Sequence, residues 1–398
     1  MNIDSRIELH TGNTMPVIGL GTWQIRGNVR NAVTVAIEAG YRMFDTSGDY
    51  GSQVGIGEAL RETAIPRSTI YIVSKVEENE DAYDATTRNL DELGLDYVDL
   101  MLIHRPPKDG EIMEELWRDL IRAWQEGRIR DIGVSNFSED QIRTIIERTG
   151  VKPVVNQIEW SPFGWSKRMA DFCASNNIVI QSYSPLTRAQ RLYDTYLNQI
   201  ATKYGKSPSQ ILIRWNMQHG WVPLPKSDNP LHIKENIDVF DFELNPIDMA
   251  ALDSLDEKFS AIAERPIYQL HREKGERRRY YELIKSVQKY SGFSDAESKD
   301  ALDSAVATIA AHLEEEERLE FANQLPAELK EIAIAIHPSK ETMKQDLFEQ
   351  FTEIQEVDKS RAKKQLLCAW KALKGALSSG EIDHIRTRLP ARAAKMLS

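Results

Sequence analysis

Four side chains in the first part of the chain could together deliver a proton to a reacting oxygen. Asp45 ends the β-type run YRMFD (41–45), Lys75 ends IYIVSK (70–75), and His104 ends VDLMLIH (98–104). Tyr50 follows Asp45 by five residues. A tyrosine is a weak acid with an ordinary pKa of ~10. A lysine ammonium beside it would lower that pKa, and a carboxylate would keep the lysine charged and in place.

A histidine next to this tyrosine could donate a hydrogen bond to a substrate oxygen or relay a proton. The four residues would then protonate a developing alkoxide, which is what the reduction of a carbonyl group requires. The hydride for that reaction must come from a cofactor, because no side chain supplies one. The sequence therefore predicts a proton-donating site that works beside a bound cofactor.

The later β-type runs also end in polar or ring-bearing residues. These are Ser135, Asn136, Gln157, Tyr183, Lys226 and Ser227. Their hydroxyl and amide groups could fix a carboxamide, and the tyrosine ring could stack on a nicotinamide. The lysine and serine on the last run suit a phosphate. Any one of them could instead be a solvated loop residue or a helix cap, but their common position at the ends of runs favours a shared site.

Eight β-branched runs, separated by amphipathic stretches of helical period, must position these groups. The runs are VIGLGTW (17–23), YRMFD (41–45), IYIVSK (70–75), VDLMLIH (98–104), IRDIGVSN (129–136), VVNQIE (154–159), IVIQSY (178–183) and WVPLPKS (221–227). This alternation predicts an α/β fold, a (β/α)₈ TIM barrel, whose strand C-termini meet at one face. The segment RIELHTGNTMPVI predicts a hairpin that closes the opposite end of the barrel. Gly55 and Gly57 lie inside a predicted helix, so they favour close helix packing over a dinucleotide-binding loop.

Beyond residue 260 the strand signals disappear and helical patterns take over. We predict a barrel over residues 1–256, a tail and linker helix over 257–289, and an all-α C-terminal domain over 290–398. Apolar positions within that domain repeat at a spacing of 64 residues: Leu302, Ala305, Ile309, Leu313, Phe321, Leu325 and Pro326 match Leu366, Ala369, Leu373, Leu377, Ile385, Leu389 and Pro390. The repeat predicts two related helical units that pack on each other.

Composition and charge exclude several classes of partner. The formal net charge of -11 disfavours binding to nucleic acid or to an anionic membrane surface. The basic segment HREKGERRRYY (271–281) is then better explained as a solvated helix than as a nucleic-acid site.

No apolar stretch reaches the ~20 residues of a spanning helix, and no signal peptide is present at the N-terminus, so we expect the cytoplasm. The two cysteines lie in different predicted domains, which argues against a disulfide framework. The histidines show no metal-ligand spacing with the cysteines, so no metal is predicted.

Ten segments, in order and in register, resemble the aldo-keto reductase family over residues 5–256. They are MPVIGLGTWQ (15–24), FDTSGDYG (44–51), IVSK (72–75), DLMLIHRP (99–106), IGVSNF (132–137), VNQIEWSP (155–162), SYSPL (182–186), YGKSPSQILIRW (204–215), PLPKS (223–227) and IKEN (233–236). The resemblance implies that Tyr50 is the general acid and that Asp45, Lys75 and His104 complete a catalytic tetrad. It also implies a cofactor site made of Thr22, Trp23, Asp45, Ser135, Asn136, Gln157, Tyr183, Ser184, Leu186, Lys226, Ser227, His232, Glu235 and Asn236.

Two departures from that family affect the cofactor and the substrate. His232 stands where members that grip the 2′-phosphate of NADPH usually carry arginine, so NADPH is the expected cofactor and NADH stays open. Arg105 follows the catalytic histidine where many relatives carry tryptophan. It could attract a substrate carboxylate or could pair with an acidic loop residue. The predicted substrate pocket comprises Trp23, Tyr50, His104 and Arg105.

The C-terminal domain resembles an uncharacterised family of small bacterial helical domains with Leu-Pro signatures, here QLPAEL (324–329) and RLPARA (388–393). It could shape the pocket, mediate self-association or bind a protein partner.

The predicted function is the NAD(P)H-dependent reduction of small aldehydes or ketones, with keto acids and keto sugars as candidate substrates. The alternative is a nucleotide-binding redox-sensing or regulatory module that acts through the helical domain.

Overall fold

The computed structural model describes residues 1–25, 28–107, 110–263, 266–336, 338, 345–355, 357–377, 379–389 and 391–397. The chain divides into two compact units, Met1–His271 and Arg272–Ser398. The predicted boundaries at 256 and 290 stay predictions. Pro390 lies outside the described residues, as do the side chains of 271–278 in the basic segment.

The first unit is a barrel of parallel strands preceded by a hairpin. The hairpin consists of β1 (Arg6–Glu8) and β2 (Thr14–Pro16), which pair antiparallel. The barrel strands are β3 (Leu20–Gly21), β4 (Met43–Asp45), β5 (Tyr71–Val76), β6 (Val98–Ile103), β7 (Ile129–Ser135), β8 (Val155–Glu159), β9 (Val179–Tyr183) and β10 (Val222–Leu224). Each pairs with the next, and a bridge between Gly21 and Lys226 joins the first strand to the last. The predicted (β/α)₈ barrel is confirmed.

Helices follow the strands because each connecting segment carries its own start and stop signals. They are α1 (Val29–Glu38), α2 (Gln53–Glu62), α3 (Ala82–Leu93), α4 (Gly110–Gln125), α5 (Glu139–Thr149), α6 (Lys167–Ser175), α7 (Thr195–Tyr204), α8 (Pro208–Gln218), α9 (Pro230–Ile237), α10 (Pro246–Asp253) and α11 (Ile267–Ser291). In α5 the Ser138 hydroxyl and the Gln141 side chain form a capping box, and Gly150 ends the helix at φ +73°. Gly57 lets α2 approach α3 closely, since a Cβ there would lie 2.2 Å from the Leu93 carbonyl oxygen.

The inside of the barrel is filled from the floor upward by apolar side chains. Leu9 and Met15 of the hairpin segment pack with inward-facing residues such as Met43, Val73 and Leu100 in one buried cluster. The hairpin therefore closes the floor, as the sequence predicts. The polar ends of the strands are left to form the opposite face.

The second unit contains helices and no strand among its described residues. After the C-terminal part of α11 come α12 (Asp295–Ala310), α13 (Glu315–Gln324), α14 (Ala327–Ala335), α15 (Leu347–Gln355), α16 (Lys359–Leu373), α17 (Ser379–Arg388) and α18 (Ala391–Met396). The apolar positions of the predicted repeat lie buried in one core: Leu302, Ala305, Ile309, Leu313, Phe321, Leu325, Leu366, Ala369, Leu373, Leu377, Ile385 and Leu389. No helix among the described residues is both long and apolar enough to cross a membrane.

Candidate active site

The C-terminal ends of neighbouring strands bring Asp45 and Lys75 into contact inside the barrel mouth. Asp45 is the last residue of β4, and Lys75 lies near the end of β5. The Lys75 Nζ donates to both Asp45 carboxylate oxygens, at 2.9 and 2.8 Å, and to the Thr46 carbonyl oxygen at 2.7 Å. The lysine side chain is 1% exposed. A buried ammonium so fully hydrogen-bonded is fixed in position and charged.

Tyr50 reaches the same place from a short 3₁₀ turn, Gly48–Tyr50, that follows β4. Its hydroxyl lies 3.4 Å from His104 Nε2, and the Lys75 Nζ lies 4.7 Å from the centre of its ring. The structure thus brings Tyr50, Lys75, Asp45 and His104 together, as the sequence predicts.

The pKa of Tyr50 differs from the sequence-based expectation. Burial raises the pKa of Tyr50 well above its ordinary value, and the charges of Asp45 and Asp49 raise it further. We expected Lys75 to lower it. In the structure the charge of Lys75 is compensated by direct contact with Asp45, so the effect of burial prevails and the phenol keeps its proton at neutral pH.

Glu77 is a site residue that the sequence reasoning missed. One of its carboxylate oxygens lies 2.5 Å from His104 Nδ1, and the Ser47 hydroxyl donates to the same oxygen at 3.2 Å. Burial acts to raise the pKa of Glu77, but the hydrogen bonds from His104 and Ser47 and the charge of Arg105 hold it below its ordinary value. The available signal was its spacing: Glu77 is two residues after Lys75, which directs both side chains to the same side of an extended chain.

One pocket of about 320 Å³ opens at this face of the barrel. Most of the predicted site residues line it: Trp23, Asp45, Tyr50, His104, Arg105, Ser135, Asn136, Gln157, Tyr183, Ser184, Leu186 and Lys226. The others do not: Thr22, Lys75, Ser227, His232, Glu235 and Asn236. The Thr22 hydroxyl instead donates to the Asp45 carbonyl oxygen at 2.8 Å. Sequence reasoning missed seven lining residues: Gly21, Gln24, Pro185, Arg188, Leu224, Ile262 and Ile267.

The amide and hydroxyl groups on the pocket wall form a connected hydrogen-bond network. The Gln157 Nε2 donates to Asp45 at 2.7 Å, and the Ser135 hydroxyl donates to the Gln157 carbonyl oxygen at 2.8 Å. The Tyr183 hydroxyl donates to Asn136 Oδ1 at 2.8 Å, while Asn136 Nδ2 donates to the His104 carbonyl oxygen at 3.2 Å. These bonds hold the wall rigid and link it to the proton-donating group.

Cationic side chains surround the mouth of this pocket. Arg105 and Lys226 are exposed, and neither forms an ion pair with any residue that the structure describes. Arg188 donates to Gln24 at 2.9 Å, and its guanidinium lies 5.0 Å from the centre of the Trp23 ring. The only acidic residue among the described lining residues, Asp45, is neutralised by Lys75. The mouth therefore favours anionic groups.

Residues predicted for the far end of the cofactor lie at the end of β10 and on α9. Ser227 is buried, and its hydroxyl accepts a hydrogen bond from the Asn229 backbone N–H at 3.1 Å. His232 is exposed, Glu235 is half-buried and Asn236 is buried on the helix that follows. None of these four residues lines the pocket.

Comparison with known proteins identifies the family of each part. Residues 17–257 match the aldo/keto reductase family, and residues 280–396 match a family described as uncharacterized conserved protein (DUF2267). An aldo-keto reductase from Mycobacterium sp. (strain JLS) is 40% identical over 256 residues, which cover 63% of this chain and 93% of that protein. The glyoxal reductase of Bacillus subtilis (strain 168) is 38% identical over 260 residues, covering 64% and 94% respectively.

A solved structure shows the same fold with a nucleotide. The Bombyx mori aldo-keto reductase in complex with NADP matches with a TM-score of 0.61 and 34% identity, over 65% of this chain and 95% of that one. Strand order, the position of the site and these similarities agree. This chain belongs to the aldo-keto reductase family and is an oxidoreductase of the kind that reduces carbonyl groups.

Proposed function

We propose that the protein reduces small aldehydes and ketones to alcohols, with a proton from Tyr50 and with NADPH as the preferred cofactor. The observation that carries the proposal is the contact of Tyr50 with His104, and of Lys75 with Asp45, at the base of one pocket. A general acid must hold its proton until charge develops on the substrate oxygen. The raised pKa of Tyr50 supports this role.

In this proposal Lys75 and Asp45 act on the phenolate that remains after proton transfer. The Lys75 ammonium lies 4.7 Å from the Tyr50 ring centre, where it offsets part of the cost of burying that negative charge even though it is paired with Asp45. Its bonds to Asp45 and Thr46 hold it in this position before the reaction, so no rearrangement is needed when the charge appears.

The pocket wall fits the nicotinamide end of a dinucleotide, which supplies a hydride when bound. Gln157 uses its Nε2 for Asp45 and Gln181, whereas its Oε1 accepts no hydrogen bond from the described residues and is available to a carboxamide. Ser135 and Asn136 would complete the carboxamide contacts, and the Tyr183 ring would carry the stacked nicotinamide.

The remaining residues predicted for the cofactor extend from that wall toward solvent. Lys226, with no acidic partner among the described residues, suits a phosphate. The other proposed contacts are Thr22, Trp23, Ser184, Leu186, Ser227, His232, Glu235 and Asn236. His232 in place of an arginine weakens discrimination between NADPH and NADH, because an imidazole lacks the planar fork of donors and the permanent charge with which a guanidinium binds a 2′-phosphate.

The pocket mouth favours substrates that carry a carboxylate, such as keto acids. Arg105 is exposed beside His104 at the pocket mouth, and this position supports the interpretation that it binds a substrate carboxylate. Changing Arg105→Gln should raise KM for a keto acid about fivefold and leave KM for a neutral aldehyde unchanged, since a partly exposed ion pair is worth about 1 kcal/mol. Equal effects on both substrates would contradict the proposal.

The test of the main proposal is oxidation of NADPH and of NADH with a panel of small aldehydes, ketones and keto acids. Tyr50→Phe should lower turnover by about 10²–10⁴-fold while nucleotide binding stays intact. Tyr193→Phe is the matched control, because Tyr193 is 92% exposed. If the intact chain binds nucleotide but turns over no faster than Tyr50→Phe, carbonyl reduction fails as the function and the redox-sensing module is favoured.

Three further expectations stay proposals drawn from the sequence. We infer a cytoplasmic protein, no nucleic-acid or membrane partner, and a helical domain that binds a protein partner or mediates self-association. The net charge of -11 supports the absence of a nucleic-acid partner.

A further inference from the structure

The Glu77 carboxylate joins two elements that carry the proposed proton donor. It accepts from the Ser47 hydroxyl at 3.2 Å, at the start of the turn that holds Tyr50, and it contacts His104 Nδ1 at 2.5 Å. Its side chain is 15% exposed, and that of His104 is 9% exposed. An acid so placed is shielded from solvent and directed at a single ring nitrogen.

The contact determines which nitrogen of His104 carries the proton. The pKa of Glu77 is held below its ordinary value, so the carboxylate is ionised at neutral pH and can only accept hydrogen bonds. The proton between the two residues therefore belongs to Nδ1. Nε2, on the other side of the ring, is then the nitrogen that faces the Tyr50 hydroxyl at 3.4 Å.

We propose that Glu77 is a positioning residue that fixes the tautomer of His104 with its proton on Nδ1, so that the free lone pair of Nε2 faces Tyr50 and can pass a proton from water to it. This inference rests on the proposed function. With a hydride supplied to the carbonyl carbon by a bound reduced nicotinamide, the carbonyl oxygen would take the Tyr50 hydroxyl proton as that O–H bond breaks. Water then protonates the phenolate by way of Nε2, whose lone pair takes up the proton and passes it on, while Nδ1–H stays bonded to Glu77 and hydroxide leaves to the solvent.

Charged groups on every neighbouring element bear on this ring. Those that face it are Asp49 and Tyr50 on the turn after β4, Asp45 at the end of β4, Lys75 and Glu77 at the end of β5, and Arg105 next to it. Asp49 Oδ1 lies 3.9 Å from Nδ1, whereas Glu77 lies at hydrogen-bond distance. Lys75 is paired with Asp45, so Glu77 is the acid placed to accept the Nδ1 proton.

A purely structural role for Glu77, as an anchor for the Ser47 turn, makes different predictions. Ser47→Ala removes the anchoring bond but leaves the bond from His104 in place. The tautomer hypothesis expects kcat to be nearly preserved in this variant, whereas the anchor hypothesis expects it to fall as far as in Glu77→Leu.

The experiment compares Glu77→Gln and Glu77→Leu with Glu78→Gln and Glu78→Leu, in the full chain. Glu78 is the neighbouring acid, half-buried and without a hydrogen bond to the described residues, so it controls for the chemical change itself. ¹⁵N-histidine NMR at neutral pH reports the tautomer of His104, assigned from a His104→Asn spectrum. Steady-state assays with EDTA in the buffer report kcat and KM.

We expect the His104 proton to be on Nδ1 in the parent chain and in the Glu78 variants, and to move to Nε2 in Glu77→Leu. The Glu77→Leu variant should lose about tenfold or more in kcat, part of the ~10²–10⁴-fold contribution of positioned proton transfer, with unchanged nucleotide binding. In Glu77→Gln the amide oxygen can still accept a hydrogen bond from Nδ1–H, so the tautomer should be kept and kcat should fall less than in Glu77→Leu.

Three results would overturn the inference. They are an unchanged tautomer in Glu77→Leu, equal losses in the Glu77 and Glu78 variants, and loss of parent activity in EDTA, which would mean that a metal ion joins Glu77 to His104. The NMR readout needs no turnover. A chain that fails to reduce any carbonyl therefore defeats the proposed function, while the tautomer result still decides the role of Glu77.

Discussion

Removal of the Lys75 ammonium tests whether the buried ion pair holds the barrel mouth together. In Lys75→Met the side chain keeps a similar volume, but Asp45 loses its contacts at 2.9 and 2.8 Å and retains only the bond from Gln157 Nε2. A carboxylate that is 4% exposed would then carry an uncompensated charge.

The size of the effect follows from burial. Breaking a buried pair by removing one partner costs about 3–5 kcal/mol, whereas an exposed pair contributes about 0–1 kcal/mol. Lys167→Met is the matched control, since Lys167 and Asp171 form an ion pair at 2.6 Å with side chains 77% and 62% exposed. The double variant Asp45→Asn with Lys75→Met should recover much of the loss, because it leaves no buried charge.

Urea unfolding followed by tryptophan fluorescence measures this effect in the barrel. Trp370 lies in the helical unit and the other tryptophans lie in the barrel unit, so the signal reports mainly on the barrel. We expect the midpoint to fall by about 1–2 M for Lys75→Met, since m is ~1–3 kcal/mol/M for small proteins and larger for a domain of this size. A loss no greater than that of Lys167→Met would refute the reasoning.

Three further predictions concern cofactor choice, pH and packing. His232→Arg should raise the preference for NADPH over NADH in kcat/KM, and an unchanged ratio would mean that His232 lies away from the 2′-phosphate. Burial acts to raise the pKa of Asp248, but hydrogen bonds from Lys203 and Tyr204 hold it below 3.8, so the folded chain binds fewer protons there than the unfolded chain. The stability that the ionised Asp248 contributes is present above pH 3.8 and is lost as the pH falls through its pKa in the folded chain. The difference in urea midpoint between the parent and Asp248→Asn should therefore shrink in acid. A difference that stays constant with pH would contradict this role of Asp248. Gly57→Ala should destabilise the barrel by about 1–3 kcal/mol through overpacking against the last residue of α3, and calorimetry showing no loss would mean that the two helices separate freely.

The sequence by itself determined the barrel fold and which strand-end residues form its polar face. Asp45, Lys75 and His104 could be placed together because they end parallel strands, and the right-handed connections of βα units bring all such ends to one face. The same reasoning located Ser135, Asn136 and Gln157 without knowledge of any distance. These features depend on local patterns that repeat along the chain.

Tertiary structure alone decided the properties that depend on burial and on loop conformation. The pKa of Tyr50 is raised because the turn after β4 buries the phenol, and sequence spacing cannot report the depth of burial. Arg188 and Ile262 line the pocket although they lie on no strand, and the bond between Glu77 and His104 joins two loops whose paths are set by packing. Strand ends are fixed by the regular geometry of the barrel, but the loops above them are not, so the fine chemistry of the site is determined only once the whole chain has folded.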